Sequence, residues 1–286
     1  MTISIEEVRR RILIALYSDD ELMDALVLKG GNALALIYKV GSRASLDMDF
    51  SIKAAFTDVD KAGERILNAL RHEFSSIGYV LFDETFSVKP SQPAADQPEW
   101  WGGYMVEFKL AERSLYEALK GNVEMLRRHA EELGPLHKRK YTIDISRHEF
   151  CEGKVQREVD DYVIYVYSLE MIAMEKLRAI CQQMPAYAFG RTRKPRARDF
   201  YDIQQIVVGH RIDLTSKENL TMLSAIFGAK QVPLELLGDI GKFGDFHALD
   251  WPSVESSISG PRNTFESYFA FVVELASTLD EALRIK

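Results

Sequence analysis

The clearest hydrophobic pattern in the chain is a strict alternation of apolar and polar residues over positions 45–52. An extended strand turns successive side chains to opposite faces, so this pattern predicts one apolar and one polar face. Asp47 and Asp49 lie side by side on the polar face. The same alternation returns at 141–146, with Asp144 in the middle of the polar face. Neighbouring like charges repel, so the pattern indicates a compensating cation, and hard oxygen ligands suit Mg²⁺.

Other segments carry the periodicities of helices and of further strands. Apolar residues spaced three and four apart predict helices at 4–17, 19–26, 57–77, 112–133, 168–183, 197–208, 216–228 and 264–284. Runs of aromatic and β-branched residues predict strands at 79–89, 104–110 and 162–167. We therefore predict an α+β protein, with a sheet-based core at 1–167 and a helical domain at 168–286.

A glycine pair precedes the first carboxylate strand. Gly30 and Gly31 open onto an apolar helix, between Lys29 and Asn32. Such a turn offers backbone N–H groups and a positive helix end to an anion, and glycine lets the backbone approach that ligand closely. A plain turn and a solvated strand face explain the two segments separately. Their order, a phosphate cradle followed by a carboxylate strand, favours nucleotide chemistry.

Two consecutive helices of the second half carry a charged residue inside an apolar stripe. Lys176 falls near the middle of one stripe, and Asp199 lies in the next one with Asp202 at its margin. A lysine in that position is costly to bury without an anionic partner, unless its stem reaches the edge of the stripe. Two interpretations remain open: an ion pair, or a shared polar site that faces the carboxylate strands.

The segment between these helices is strongly basic. Five of the eight residues at 191–198 are arginine or lysine. A solvated loop explains this composition, but arginines also bind phosphate groups in a bidentate manner. We expect contact with a triphosphate or an RNA backbone through the arginines of this segment, which are Arg191, Arg193, Arg196 and Arg198.

Composition narrows the class of protein. The chain has 286 residues, of which 47% are hydrophobic, and a formal net charge of −7. It can bury a sizeable core, but as a whole it is not a nonspecific nucleic-acid binder. It has no apolar run long enough for a membrane helix and no signal-peptide pattern, and Cys151 and Cys181 fit a reducing compartment. We expect a cytoplasmic protein without a membrane partner.

Four short segments together carry a family resemblance. They are Leu28-Lys29-Gly30-Gly31, Arg43-x-Ser45-x-Asp47-x-Asp49-Phe50, Glu175-Lys176-Leu177-Arg178-Ala179 and Arg196-x-Arg198-Asp199-x-x-Asp202. In this order, over residues 28–203, the chain resembles the AbiEii/AbiGii-type toxin nucleotidyltransferases, a branch of the polymerase-β-like superfamily that includes the MenT toxins. It departs from their pattern at Asn32, where a serine or threonine often follows the glycines, and at Arg198, where a lysine is common.

The resemblance implies a fold and an activity. The fold is a polymerase-β-like mixed sheet flanked by helices, followed by a C-terminal helical bundle that closes the active site. The activity is Mg²⁺-dependent transfer, with Mn²⁺ as an alternative metal, of a nucleoside monophosphate from a nucleoside triphosphate (NTP) to an RNA acceptor such as the 3′ end of tRNA. The implied role is that of a toxin in a type IV toxin–antitoxin or phage-defence system, with a cognate antitoxin as partner.

The resemblance also assigns roles to residues. The implied catalytic residues are Asp47, Asp49, Asp144, Lys176 and Asp199. The first three would hold the metal, and Asp144 would alternatively act as the base for the attacking hydroxyl. Lys176 would neutralise the phosphates, and Asp199 would orient Lys176 or contact the nucleotide. The implied nucleotide-binding residues are Lys29, Gly30, Gly31, Asn32, Arg43, Ser45 and Asp202.

Two other functions stay open on the sequence alone. In the first, the nucleotide is transferred to a protein hydroxyl or to a small molecule such as an antibiotic. In the second, the chain is a non-catalytic partner-binding protein with a degenerate nucleotidyltransferase fold. The labelled product of the reaction distinguishes the acceptors. Magnesium-dependent stabilisation by a nucleotide distinguishes an enzyme from a partner-binding protein, because a ligand that prefers the folded state raises the melting temperature.

Overall fold

The computed structural model describes residues 3–40, 47–92, 98–132, 138–190 and 192–285. These residues form two compact units. The first unit takes its described residues from Met1–Asn32, Ser45–Cys151 and Val155–Val166, and the second from Ala33–Ala44, Glu152–Lys154 and Tyr167–Lys286. The first unit contains the sheet, and the second is built almost entirely from helices.

Within the described ranges, seven strands form one mixed sheet in the order β3-β4-β5-β2-β1-β7-β6. They are β1 (Val27–Lys29), β2 (Met48–Ser51), β3 (Tyr79–Lys89), β4 (Gly103–Glu112), β5 (Tyr141–Ser146), β6 (Lys154–Val159) and β7 (Tyr162–Tyr167). The β2–β5 and β1–β7 pairs are parallel, whereas the β1–β2, β3–β4 and β4–β5 pairs are antiparallel. The two segments singled out by the sequence, the glycine pair and the first carboxylate strand, therefore meet in the middle of the sheet.

Six helices lie within the described residues of the first unit. They are α1 (Ile5–Tyr17), α2 (Asp20–Ala25), α3 (Gly30–Asn32), α4 (Val59–Ser76), α5 (Arg113–Leu119) and α6 (Val123–His129). The prediction of one helix at 112–133 is wrong. The chain interrupts it because the Asn122 side chain accepts a hydrogen bond from the Met125 N–H at 3.1 Å and thereby starts a new helix, α6.

The core of the first unit lies on the apolar face of the sheet. Alternate residues of β4 and β5 are completely buried there, namely Tyr104, Val106, Phe108, Ile143 and Ile145. Each such side chain contributes about 1.5–3 kcal/mol relative to an exposed one. Helix α4 packs against β3 and α1, and its Gly63 lies against the ring of Phe86. A Cβ at Gly63 would stand 2.6 Å from that ring, so a glycine is needed for this approach.

The second unit is a cluster of helices. They are α7 (Leu169–Cys181), α8 (Ala197–His210), α9 (Lys217–Gly228), α10 (Gly244–Ala248), α11 (Trp251–Ser256) and α12 (Phe265–Arg284), with a π-helical segment at Ala33–Tyr38 and a 3₁₀ segment at Leu234–Phe243. Phe200 of α8 packs on Phe265 and Phe269 of α12, with ring centroids 5.6 and 5.4 Å away. The predicted fold class, a mixed sheet with flanking helices followed by a helical part, is confirmed. Within the described ranges, no helix is both long and apolar enough to cross a membrane.

Candidate functional site

Two of the predicted catalytic carboxylates occupy neighbouring strands. The parallel pairing of β2 and β5 places Asp49 in register with Asp144, so the two side chains project from the same face of the sheet. Asp47 lies just before β2 and is exposed. The structure thus places Asp49 and Asp144 side by side, and Asp47 precedes the first of these strands. Like charges in register destabilise a sheet, which is the usual sign that such a pair serves another purpose.

A lysine that the sequence did not single out contacts this pair. Lys89, at the end of β3, places its Nζ 2.7 Å from Oδ2 of Asp144. The two side chains are 42% and 37% exposed, so the ion pair contributes only about 0–1 kcal/mol to stability. In an ion pair this weak, Lys89 is readily replaced by another cation.

The donor set of this edge fits magnesium. Among the residues that the structure describes, no group of three or more histidine, cysteine, aspartate or glutamate side chains is gathered closely enough to hold a metal ion by itself. Mg²⁺, however, is commonly held by one or two carboxylates together with the phosphates of its substrate, rather than by a complete protein cage. Asp49 and Asp144 supply two hard oxygen donors in register, and Asp47 lies two residues from the first.

The glycine pair lies directly against one carboxylate. Gly30 has φ of +69°, a left-handed conformation, and a Cβ built on it would stand 2.7 Å from Oδ2 of Asp49. Both facts require glycine at this position. The backbone that begins α3 therefore passes alongside the carboxylate pair, as the predicted phosphate cradle requires.

The Gly30→Ala variant is expected to lose at least about tenfold in activity, because the added methyl group displaces Asp49 and small misplacements in a reacting site are costly. The left-handed backbone would also cost about 1–2 kcal/mol of stability. Gly78→Ala is the matched control, since Gly78 has φ of +83° but nothing lies within 4 Å of its Cβ position. Thermal melting should fall similarly in both variants, whereas nucleotide transfer should fall only in Gly30→Ala. Equal activities in the two variants would contradict a role for Gly30 in the site.

The side chains that flank the glycines are buried and engaged. Asn32 is completely buried, and its Nδ2 donates to the backbone carbonyl of Asp47 at 2.5 Å. Lys29 lies in β1 opposite Asp49, and its Nζ is 3.2 Å from Oγ of Ser146 and 3.6 Å from Oε1 of Glu149. Asn32 thus fixes the chain at Asp47, and Lys29 ties β1 to the end of β5.

The second unit gathers the other predicted charged residues. Nζ of Lys176, on α7, lies 2.8 Å from Oδ1 of Asp199 and 2.8 Å from Oδ2 of Asp202, both on α8. Nε of Arg196 donates to Oδ2 of Asp199 at 2.5 Å. The side chains of Lys176 and the two aspartates are only 5–6% exposed. These four residues, here called the lysine–aspartate cluster, are formally neutral as a group, and the ion-pair interpretation of the charged stripes is what the structure shows.

The electrostatics of this cluster keep the Asp199 carboxylate charged. Burial alone raises the pKa of Asp199, but the Arg196 guanidinium and the Lys176 ammonium outweigh it and hold that pKa well below its ordinary value. Lys176 therefore lies among anions inside the protein. A lysine so placed is positioned by its partners rather than by its own flexible stem.

The arginines of the basic segment differ in exposure. Arg193 and Arg198 are exposed, whereas Arg196 is part of the lysine–aspartate cluster. Three residues of the predicted site, Arg43, Ser45 and Arg191, lie outside the described residues. Within the basic segment, Arg193 and Arg198 are accordingly the described arginines whose exposure suits a phosphate backbone.

Sequence reasoning missed four residues that contact predicted site residues or the first turn of the helix that carries them. Lys89 and Glu149 reach them in the first unit, and His247 and Asp250 reach the start of α8 in the second. All of these contacts join segments far apart in the chain, so no local pattern marked them. Only the charge of the two carboxylate strands hinted that a cation such as Lys89 should lie nearby.

Comparison with known proteins identifies a matching family and two similar solved structures. A family model described as "Nucleotidyl transferase AbiEii toxin, Type IV TA system" matches residues 11–270. Among solved structures, JHP933 from Helicobacter pylori is similar at 19% identity and a TM-score of 0.49, covering 98% of this chain and 91% of that one. An antigenic nucleotidyltransferase-like protein from Paracoccidioides brasiliensis is similar at 14% identity and a TM-score of 0.40, covering 81% and 95%. No curated protein matches the chain.

Proposed function

We infer the reaction from the fact that this chain belongs to the family of AbiEii nucleotidyltransferase toxins of type IV toxin–antitoxin systems. Family membership makes it a nucleotidyltransferase toxin that uses an NTP and has a cognate antitoxin. We propose that it transfers a nucleoside monophosphate to an RNA acceptor, with the 3′ end of tRNA as the target. The observation that carries this proposal is the register of Asp49 with Asp144 beside the Gly30 backbone.

The proposed metal is Mg²⁺, with Mn²⁺ as the alternative, held by Asp47, Asp49 and Asp144. When bound, it supplies positive charge to the phosphates and to the reacting oxygens. Asp144 would release Lys89 when the metal and the triphosphate arrive. The exchange of one exposed ion pair for another costs little, because the Lys89 pair is itself worth at most about 1 kcal/mol.

The protein groups have distinct parts in the proposed reaction. An acceptor hydroxyl attacks the α-phosphorus, a new P–O bond forms, and the bond to the β-phosphate oxygen breaks with release of pyrophosphate. The hydroxyl proton passes to a carboxylate, for which Asp144 is the proposed base. The N–H groups at Gly30 and Gly31 would hold phosphate oxygens, since the first N–H groups of a helical turn have no partner within it.

The lysine–aspartate cluster would serve the same reaction. We propose that Lys176 neutralises phosphate charge and that Asp199 orients it, which the 2.8 Å contact between them supports. Asp202, which shares the same ammonium, is proposed to bind the nucleotide. The exposed Arg193 and Arg198 would contact the RNA backbone.

The test is a labelling assay with the wild-type chain. The purified protein is incubated with Mg²⁺, total tRNA and each α-³²P-labelled NTP in turn, and the products are separated on a denaturing gel. We expect label in the tRNA band with a preferred nucleotide, and no label when EDTA removes the metal. Addition of Mn²⁺ after EDTA tests the alternative metal.

The other outcomes discriminate between the alternatives. Label in a protein band would move the acceptor to a polypeptide hydroxyl, and label in a small-molecule fraction would indicate an antibiotic-type acceptor. If no band is labelled and no NTP with Mg²⁺ raises the melting temperature, the chain is a partner-binding protein and the proposed activity is overturned.

A further inference from the structure

Helix α8, which carries Asp199 and Asp202, begins without a cap of its own. Its N-cap residue is Arg196, whose side chain makes no capping hydrogen bond. The first N–H groups of a helix have no intrahelical acceptor, so a buried helix start needs acceptors from elsewhere. Asp199 lies within this first turn, so whatever holds the turn also holds the carboxylate.

A later segment of the chain supplies the missing acceptors. The Arg196 N–H donates to Nδ1 of His247 at 3.2 Å, and the Ala197 N–H donates to Oδ1 of Asp250 at 3.0 Å. These bonds span 51 and 53 residues of sequence. Two side chains one turn apart, at the end of α10 and the start of α11, thus cap the helix that carries the two aspartates.

The surroundings of His247 favour its role as a hydrogen-bond acceptor. It is completely buried, with its ring centroid 5.2 Å from that of Phe200 and 5.1 Å from that of Phe246. Burial lowers its pKa to about 4, so the imidazole is neutral at physiological pH. A neutral imidazole that accepts at Nδ1 carries its proton on Nε2, and among the described residues Nε2 has no hydrogen-bond partner. The aromatic neighbours therefore position the ring, and its one polar contact is with the start of α8.

Asp250 adds a charge at the same place. The start of a helix carries a partial positive charge, so a carboxylate that accepts from its first N–H group is favoured there. Arg196, at the start of this turn, contacts Asp199, and Asp199 contacts Lys176. If this first turn moved, Arg196 and Lys176, the two partners of Asp199, would shift relative to one another.

We propose that His247 and Asp250 are positioning residues, which fix the first turn of α8 and thereby hold Asp199 and Arg196 in the geometry that orients Lys176. This proposal rests on the function proposed above for Lys176 and Asp199. Neither His247 nor Asp250 contacts substrate in this account. The segment that carries His247 and Asp250 affects the reaction indirectly, because it caps α8.

The experiment compares two helix caps in the same unit. Asp250→Ala removes the acceptor from α8, and Asp250→Asn keeps an oxygen acceptor at the same position. Ser216→Ala is the matched control, because Ser216 Oγ caps α9 by accepting from the Asn219 N–H at 3.2 Å, and α9 carries no predicted site residue. We expect Asp250→Ala to lose about 10- to 100-fold in kcat, with Asp250→Asn within about threefold of wild type and Ser216→Ala unchanged despite a similar loss of thermal stability.

A second readout is independent of the reaction. Amide hydrogen exchange at Ala197 should be slow in the intact wild type and at least about tenfold faster in Asp250→Ala, whereas exchange at Asn219 should stay unchanged. His247→Phe, which keeps the aromatic packing and removes the acceptor, should accelerate exchange at Arg196 in the same way.

The two readouts separate the possible failures. Rapid exchange of Ala197 in the wild type, or equal activity of Asp250→Ala and Ser216→Ala, would overturn the positioning role. Slow exchange that depends on Asp250, in a protein that transfers no nucleotide to any acceptor, would leave the cap in place and overturn the proposed function instead. If Asp250→Ala does not fold, the exchange of Ala197 in wild type and Asp250→Asn decides the question.

Discussion

The Asp49→Asn variant is expected to lose at least about a thousandfold in nucleotidyl transfer while it remains folded. The amide keeps the shape of the side chain but removes the charge that the proposed metal requires, and such charge stabilisation is worth several kcal/mol in the transition state. Folding stability should change by less than about 1 kcal/mol, because the substitution removes one of two like charges in register with each other. Transfer kinetics and thermal melting measure the two effects.

Glu107→Gln is the matched control for this variant. Glu107 lies on β4 opposite Thr142, on the same face of the sheet as Asp144, and its carboxylate pairs with Lys140 at 2.7 Å. The same chemical change there should leave transfer within about twofold of wild type, since the residue is outside the proposed site. Full activity in Asp49→Asn, or equal losses in the two variants, would remove the carboxylate pair from the mechanism.

The Lys176→Ala variant is expected to lose folding stability as well as activity. The structure buries Lys176 between two carboxylates, so its removal affects folding as well as the reaction. Removal of one partner from a buried ion pair costs about 3–5 kcal/mol, because the remaining charges lose their compensation. Urea unfolding of the variant and the wild type measures this difference.

A charge-balanced double variant separates stability from catalysis. Lys176→Met with Asp202→Asn removes one positive and one negative charge, and leaves Asp199 paired with Arg196. It should recover much of the lost stability, since neutral groups of similar size can replace a buried ion pair. Transfer should stay at least about a hundredfold below wild type. Activity in a stable double variant would make Lys176 a purely structural residue.

The stability difference between the wild type and Lys176→Ala should depend on pH. In the wild type, the pKa of Asp199 lies below its ordinary value of 3.8, so its contribution to stability is present above that pH and declines as the pH falls below it. In Lys176→Ala, the Asp199 carboxylate keeps the Arg196 guanidinium but loses the ammonium, so its pKa is less depressed than in the wild type. The folded variant then binds protons at a higher pH than the folded wild type, so its stability deficit should shrink as the pH falls below 3.8.

Local patterns predicted the parts of the molecule that depend on local physics. The strands at 79–89 and 141–146 have the predicted bounds, because alternation and β-branched residues determine them directly. β1 and β6 were missed: three buried residues in β1 cannot show an alternation, and β6 has no fully buried residue to mark a face. The charged residues within the stripes of α7 and α8 were found because each contradicted its helical surroundings.

The partners of those residues could not be predicted from the sequence. Alternation placed Asp49 and Asp144 on polar faces, but their register depends on a parallel pairing of strands that are distant in the chain. The bond between Asp250 and Ala197 spans 53 residues, and the sequence around Asp250 offered only a connection between helices. Propensities describe what a segment does alone, whereas these contacts depend on where the rest of the chain has folded.

The distance along the chain between α8 and its cap has a consequence during protein synthesis. Ala197 leaves the ribosome 53 residues before Asp250, and at about 5–20 residues per second this delay is roughly 3–10 s. In that interval the nascent polypeptide already contains every residue of the family motif, but the turn that orients Asp199 has no acceptors. For part of its synthesis, the growing toxin would therefore contain its complete motif while its lysine–aspartate cluster is not yet ordered.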